Sequence, residues 1–218
     1  MMSILDGGSG ESSGPPRTRR QQEKDRRRRD LLEAAGRLFG TRGFASVALD
    51  DIGSEAGVTG QAIYRHFKGK RDMLGQLLLE VSQELLDGGR ALGAGAEIPE
   101  ERLRRLIAFQ VRFALRSPEV IRVQEQELGR LAEPDRRRIR RMQREYMDIW
   151  VDAVRALHPA AGSEELSLRV HGLFGLINST AHSLKHFHGR APSAETMEVG
   201  ARALEVMAQA AAEVEMSR

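Results

Sequence analysis

The sequence predicts an all-α protein of about nine helices, with a helix-turn-helix near the N-terminus and a larger helical domain after it. Two observations carry this. Apolar residues return at three- and four-residue steps along nearly the whole chain after Lys24. No run alternates apolar and polar residues beside a turn signal, so no strand is expected.

Residues 1–16 hold ten Gly, Ser or Pro and almost nothing to bury, and residues 1–23 read as a disordered basic arm. The first helix starts near Lys24, carries Leu31, Leu32, Ala35, Leu38 and Phe39 on one face, and ends at Gly40 and Gly43. A second, short helix covers Ala48 to Ala56, with Leu49, Ile52 and Ala56 inward, and Gly57 breaks it. Thr59 is expected to cap a third helix, Gly60–His66, by accepting from its free N–H groups. A long fourth helix starts at Lys70, striped by Leu74, Leu77, Leu78, Val81 and Leu85. The Gly- and Ala-rich segment Gly88–Pro99 reads as a loop.

Beyond Pro99 the period stays helical. Leu103, Leu106, Ile107, Gln110, Phe113 and Ala114 share a face. Ser117-Pro118-Glu119 combines a serine cap, a proline in the first helical position and an acid at the positive dipole end. The next helix spans roughly Pro134 to Leu157, inward through Ile139, Met142, Tyr146, Ile149, Trp150 and Ala153, and His158-Pro159 stops it. Ser163 opens a helix reaching about His188, and Ser193 opens the last.

Composition excludes several classes. The chain has 218 residues, and its apolar runs fall far short of the roughly 20 residues of a membrane span. It has no cysteine, hence no disulfide, thiolate metal site or cysteine nucleophile. Its start lacks the charged leader and apolar core of a secretory signal, so a cytoplasmic location is expected. Net charge is +3, but residues 1–29 hold eight basic and four acidic side chains, leaving the remainder at −1. A basic block feeding a near-neutral body is the asymmetry of a nucleic-acid-binding arm; the bland alternative is a solvated arginine run.

The second and third helices, joined by Gly57-Val58-Thr59, match a helix-turn-helix. Val58 plugs the angle between them, and the second member presents Gly60, Gln61, Ala62, Tyr64, Arg65 and His66. Such a helix fits a major groove with its N-terminal residues toward base edges. The stretch LLEAAGRLFGTRGFASVALDDIGSEAGVTGQAIYRHFKGKRDMLGQLLL, residues 31–79, resembles the DNA-binding domain of the TetR family of transcriptional repressors. The matching pieces are AAGRLF, RGF, DDIGSEAGVTG, AIYRHF and KGKRDML, in order and at family spacing. The resemblance implies a homodimer whose divergent ligand-binding domain releases operator DNA when an effector binds. On that pattern residues 24–75 form the DNA-binding domain and 76–218 the ligand-binding and dimerisation domain.

The resemblance also implies roles. Thr59 caps the recognition helix near a phosphate, Tyr64 and His66 meet backbone phosphates, and Lys70 donates to one from the start of the fourth helix. Gln61, Ala62 and Arg65 are the candidates for base contact, with Gly60 beside them: glutamine pairs with adenine, arginine with guanine, and alanine touches a thymine methyl. Phe67 is a structural plug. Val47 stands where a hydroxyl residue often opens the second helix, so Ser46 is the substitute phosphate contact. Gly53 replaces the usual alanine, at a cost of about 1 kcal/mol in helical preference.

Phe109, Phe113, Met142, Tyr146, Trp150 and Phe174, with Gln124, Asn178 and His182 as polar members, are expected to line an apolar effector site. Core packing is the plain alternative for the aromatics. The run from Val123 through RRMQREYMDIW to GLINST is similar to family members that sense acyl-coenzyme A thioesters, so an acyl-CoA or another hydrophobic molecule is the expected effector. Arg136, Arg137, Arg138, Arg140, Arg141 and Arg144 form either the solvated face of the seventh helix or a phosphate clamp. The apolar stripes of the last two helices, Leu166 to Leu184 and Ala203 to Ala211, exceed what one small bundle buries and point to a homodimer through them. His182 and His186 stand four apart near His171 and His188, the only hint of a histidine-metal enzyme. No carboxylate completes that set, and no nucleophile constellation, phosphate loop or carboxylate dyad calls for an enzyme or a cofactor. A nonspecific architectural DNA-binding protein driven by the arginine arm is the other alternative.

Overall fold

The structure, a computed structural model, describes residues 18–93, 98–186 and 193–215, without the side chains of His182, Lys185 and His186. Among the described residues there are nine α-helices and no strand. They are α1 Arg19–Arg42, α2 Leu49–Glu55, α3 Gly60–Ile63, α4 Lys70–Gly93, α5 Pro99–Arg116, α6 Pro118–Glu127, α7 Glu133–Leu157, α8 Ser163–His186 and α9 Ala194–Glu213. Two 3-10 turns, Phe44–Ser46 and Leu128–Arg130, precede α2 and α7. Of the described helices, none is long and apolar enough to cross a membrane.

The chain forms two compact units, and the first is discontinuous: it runs to Val81 and includes Glu119–Arg137. The second holds Ser82–Pro118 and everything from Arg138 onward. The expected division after residue 75 therefore omits a large insert. Its cause lies in α1, where Gly36 and Gly40 receive the N-terminus of α6. A methyl group on Gly40 would stand 2.5 Å from the Glu119 carbonyl oxygen, and one on Gly36 would stand 3.1 Å from Val120 Cγ2. Gly40 is thus an interior packing residue and not a helix stop; α1 continues to Arg42 and ends at Gly43, whose φ of 80° is left-handed.

The start of α1 also departs from expectation. The Thr18 hydroxyl accepts from the Gln21 N–H at 3.3 Å, and α1 begins at Arg19, five residues before Lys24. Residues 19–23, read as part of a disordered arm, are helical; residues 1–17, with Arg17, lie outside the described residues. The core beneath is Leu31, Leu38, Phe39, Ile52, Ile63, Phe67, Leu74 and Leu78.

In the second unit α5, α8 and α9 pack on one another. Leu166, Val170, Leu173, Ile177 and Ala181 of α8, with Leu204 and Ala208 of α9, are buried within the chain. Most of the α8 stripe, with Leu204 and Ala208 of α9, is therefore intramolecular core, whereas Leu184 is half-buried and Ala203, Met207 and Ala211 are exposed. The expected loop from Gly88 is helix as far as Gly93, because Gly88 and Gly89 accommodate rings. A methyl on Gly88 would lie 2.3 Å from the Phe109 ring, and one on Gly89 2.7 Å from that of Tyr146. α6 does start at Pro118, but the buried Ser117 hydroxyl makes no hydrogen bond and does not cap it.

Candidate nucleic-acid interface

The helix-turn-helix is held by its turn. At the end of α2 the Val58 N–H donates to the Gly53 carbonyl at 2.8 Å and the Gly57 N–H to that of Ser54 at 3.2 Å. This paired closure needs a left-handed residue at Gly57, whose φ is 67°. Gly53 lies under the turn: a methyl there would come within 2.8 Å of the Val58 oxygen and 3.0 Å of the Gly60 nitrogen. The lost helical preference at Gly53 thus accompanies close approach of α3. At the front of α2, Asp51 accepts from the Ala48 N–H at 2.8 Å.

α3 is shorter than expected, Gly60–Ile63, and the chain continues to Phe67 by tight turns, with Arg65 N–H to Ala62 O at 3.2 Å and His66 N–H to Ile63 O at 2.8 Å. Thr59 occupies the N-cap position, yet its side chain makes no capping bond. Its hydroxyl is exposed, as are Ser46, Gln61, Tyr64 and Arg65, while Gly60, Ala62 and His66 are half-buried. Ile63 and Phe67 anchor the opposite side in the core.

Lys70 departs furthest from its expected role. Its ammonium donates to the carbonyls of Phe44 and Val47, both at 2.8 Å, and of Ala45 at 3.3 Å, and sits 4.6 Å from the Phe44 ring centroid. All three of its donors are engaged, so it clamps the turn leading into α2 where a phosphate donor was expected. The same turn is held from α6, whose buried Glu127 accepts from the Phe44 N–H at 3.4 Å. Glu127 also pairs with Arg130, which lies over the Phe44 ring.

The basic block of α1 divides into two. Arg28 lies over the Phe67 ring at 5.6 Å, donates to Gln76 at 2.6 Å and pairs with Glu80. Arg27 donates to the Ala56 carbonyl at 3.4 Å. Burial holds the His66 imidazole below its usual 6.5, and Lys24, Arg28, Arg27 and Arg65 push it the same way; its Nδ1 is buried without a partner. The exposed recognition residues thus border a strongly electropositive neighbourhood.

In the second unit, the Tyr146, Trp150 and Phe174 rings form one cluster with centroids 4.9–6.3 Å apart. The Tyr146 hydroxyl donates to Gln110 Oε1 at 3.0 Å, and Gln110 Nε2 donates to Asn178 Oδ1 at 3.1 Å. Burial pushes the Tyr146 phenol above its usual 10.0. Met142 and Phe113 are buried in the same unit and Phe109 is half-buried against Gly88. Gln110 is the polar partner that sequence reasoning missed, although its place in an apolar stripe was visible. Gln124 falls on α6, in the first unit. The side chains of His182 and His186, and His188 altogether, lie outside the described residues. Among the described residues there is no group of three histidine, aspartate or glutamate side chains able to hold a metal. Arg137, Arg138, Arg140, Arg141 and Arg144 are exposed; Arg136 and Arg137 pair with Glu133, and Arg141 with Glu145. An open groove of about 380 Å³ between α7 and α8 is lined by Arg141, Arg144, Met147, Val151, Ser167 and His171, together with Glu145 and Asp148.

Two family models match the chain. Residues 31–77 match the bacterial regulatory proteins of the tetR family, and residues 96–182 match a tetracyclin repressor-like C-terminal domain. By sequence the chain is 28% identical over 126 residues to the HTH-type transcriptional repressor KstR2 of Mycobacterium tuberculosis. That match takes in 57% of this chain and 63% of KstR2, just under two thirds of the relative's length. By structure it is similar to a TetR-family regulator from Bordetella parapertussis (23% identity, TM-score 0.69, 82% of this chain and 92% of that one). It is also similar to FadR from Bacillus subtilis, solved in complex with stearoyl-CoA (16% identity, TM-score 0.59, 85% and 98%). The structural likenesses are likenesses of fold. Together, the helix-turn-helix over residues 49–63 and the two family models place the chain in the TetR family of bacterial transcriptional regulators.

Proposed function

We propose that the chain is a cytoplasmic transcriptional repressor that binds a palindromic operator as a homodimer and leaves it when a hydrophobic effector binds. The observation that carries the DNA-binding reading is the α2–α3 unit: a closed turn behind, Ile63 and Phe67 buried beneath, and Gln61, Tyr64 and Arg65 exposed in front. Gln61, Ala62 and Arg65 then read bases, while Ser46, Thr59, Gly60, Tyr64 and His66 meet phosphates.

Dimerisation uses the outer faces of the last two helices. Leu168 and Val206 are each 69% exposed, and Val199 and Met207 are exposed as well. On α8, Gly172 and Gly175 also have open space before them. An apolar face with small residues suits close helix approach, and a two-fold bundle of α8 and α9 would bury it.

For the effector, the Tyr146–Trp150–Phe174 cluster supplies apolar rings and the Gln110–Asn178 pair a polar anchor. Arg141 and Arg144 at the groove offer charge to a phosphate-bearing end. An acyl-CoA is the first choice, which the stearoyl-CoA complex of the FadR neighbour supports; an uncharged hydrophobic molecule is the second. The test selects duplexes from a random pool with the full chain, then titrates acyl-CoAs of several chain lengths, and the matching free acids, into the complex. A palindromic consensus with release by thioesters is expected. Equal affinity for selected and random duplex would favour an architectural protein, and release by free acids alone would remove the acyl-CoA reading.

A further inference from the structure

We propose that the first turns of α1 form a second DNA-contacting surface, a cationic stripe of Arg20, Lys24 and Arg27 that meets phosphates flanking each half-site. The inference rests on the operator-binding reading and extends it beyond the helix-turn-helix. The helix starts at Arg19, so twelve residues, about 18 Å of helix, precede Leu31. Stepping back from Leu31 by three and four residues leads to Arg28 and Arg27, then Lys24, then Arg20. The face that is apolar from Leu31 onward is therefore cationic before it. Of the acidic residues of this stretch, Asp25 and Glu33 lie on other faces and Asp30 at the edge of the stripe, while Glu23, beside Arg20 and Arg27, is paired with Arg19.

A helix face turned toward its own body is normally filled by apolar side chains. Here Arg28 covers Phe67 and Arg27 reaches the Ala56 carbonyl, so the stripe passes along the end of the helix-turn-helix. Lys24, Arg27 and Arg28 all act on His66, next to the exposed Arg65. One turn and two turns further out, Lys24 and Arg20 are exposed. With Glu23 taken up by Arg19, the partner that fits this cationic stripe is a polyanion continuous with the one Arg65 and His66 address. From Arg20 to Arg27 the stripe spans about 10 Å, the axial length of about three phosphates of one strand.

The experiment uses the full chain, the double variant Arg20→Gln/Lys24→Gln, and Arg26→Gln, whose exposed guanidinium stands off the stripe. Each binds the selected operator in two lengths, one ending at the half-sites and one with about six further base pairs on each side. The wild-type chain should gain affinity from the flanks; the double variant should lose that gain while binding the short duplex normally; Arg26→Gln should keep it. On the long duplex, raising salt fourfold should cost the wild type roughly a hundredfold more affinity than the double variant, for two lost contacts per protomer and four per dimer. A flank gain that survives in the double variant, or that Arg26→Gln loses equally, overturns the proposal alone. Failure of the wild-type chain to bind any duplex refutes the operator reading and this surface with it.

Discussion

Replacing Lys70 by methionine separates two accounts of one residue. Resemblance makes it a phosphate donor; the structure makes it the clamp on the turn that leads into α2. Methionine keeps most of the aliphatic length and removes the ammonium. The bond to the exposed Ala45 carbonyl is replaced by water at little cost. The two bonds at 2.8 Å, to the half-buried carbonyls of Phe44 and Val47, are charge-assisted. Taken at the low end for such bonds, about 1.5 kcal/mol each, their loss destabilises the first unit by about 3 kcal/mol. The lost contact with the Phe44 ring adds about 0.5 kcal/mol. Trp150, the one tryptophan, lies in the second unit and its emission does not report on this turn. The readout is therefore amide exchange at Phe44–Val47 with urea unfolding followed by circular dichroism. Faster exchange and a lower midpoint are expected, with the salt dependence of DNA affinity unchanged. An unfolding free energy within about 0.5 kcal/mol of wild type, together with a salt slope smaller by about one per protomer, would refute the clamp.

Gly40→Ala should lower the unfolding free energy by about 1–2 kcal/mol, because overpacking against Glu119 outweighs the helical preference gained. His66, held below 6.5, is mostly neutral in the free chain at pH 7. A phosphate beside it favours the protonated form, so DNA binding takes up a proton and affinity should rise as pH falls from 7.5 through 6.5. His66→Gln should flatten that rise, and a rise that persists would reassign the proton. The stability of the free chain moves oppositely at this residue, present above 6.5 and lost as pH falls below it. Burial raises the Glu84 carboxyl above 4.5 despite Arg116, so Glu84→Gln should raise the melting temperature at pH 7, with the gain vanishing toward pH 4. Leu168→Glu with Val206→Glu should convert the dimer to monomers in sedimentation while leaving the circular dichroism spectrum unchanged; a persisting dimer would move the interface elsewhere.

Periodicity made the helices legible, since Leu31, Ile52, Leu74, Leu103 and Trp150 repeat at the step of the face they bury. Glycine was the weak sign. Gly57 does break a helix, but Gly40, Gly88 and Gly89 lie inside helices where a neighbouring backbone or ring comes too close for a methyl. Local sequence does not distinguish those two uses, because the contacting residue is 21 to 79 positions away. The same distance hid the engagement of Lys70 with carbonyls 23 to 26 residues earlier. The outward placement of Gln61, Tyr64 and Arg65 was legible because the motif is local. The side chains of α8 were misassigned because an apolar stripe names a buried face without naming what buries it.

The discontinuity of the first unit bears on how such a chain can be recombined. A cut after the helix-turn-helix, or even after Val81, leaves Gly36 and Gly40 facing solvent and the Phe44 N–H without Glu127. The DNA-reading head is therefore not a cassette that can be spliced onto a foreign sensor at one junction. A working chimera must carry residues 119–137 from the same parent as residues 18–81, which fixes three crossover points along the gene.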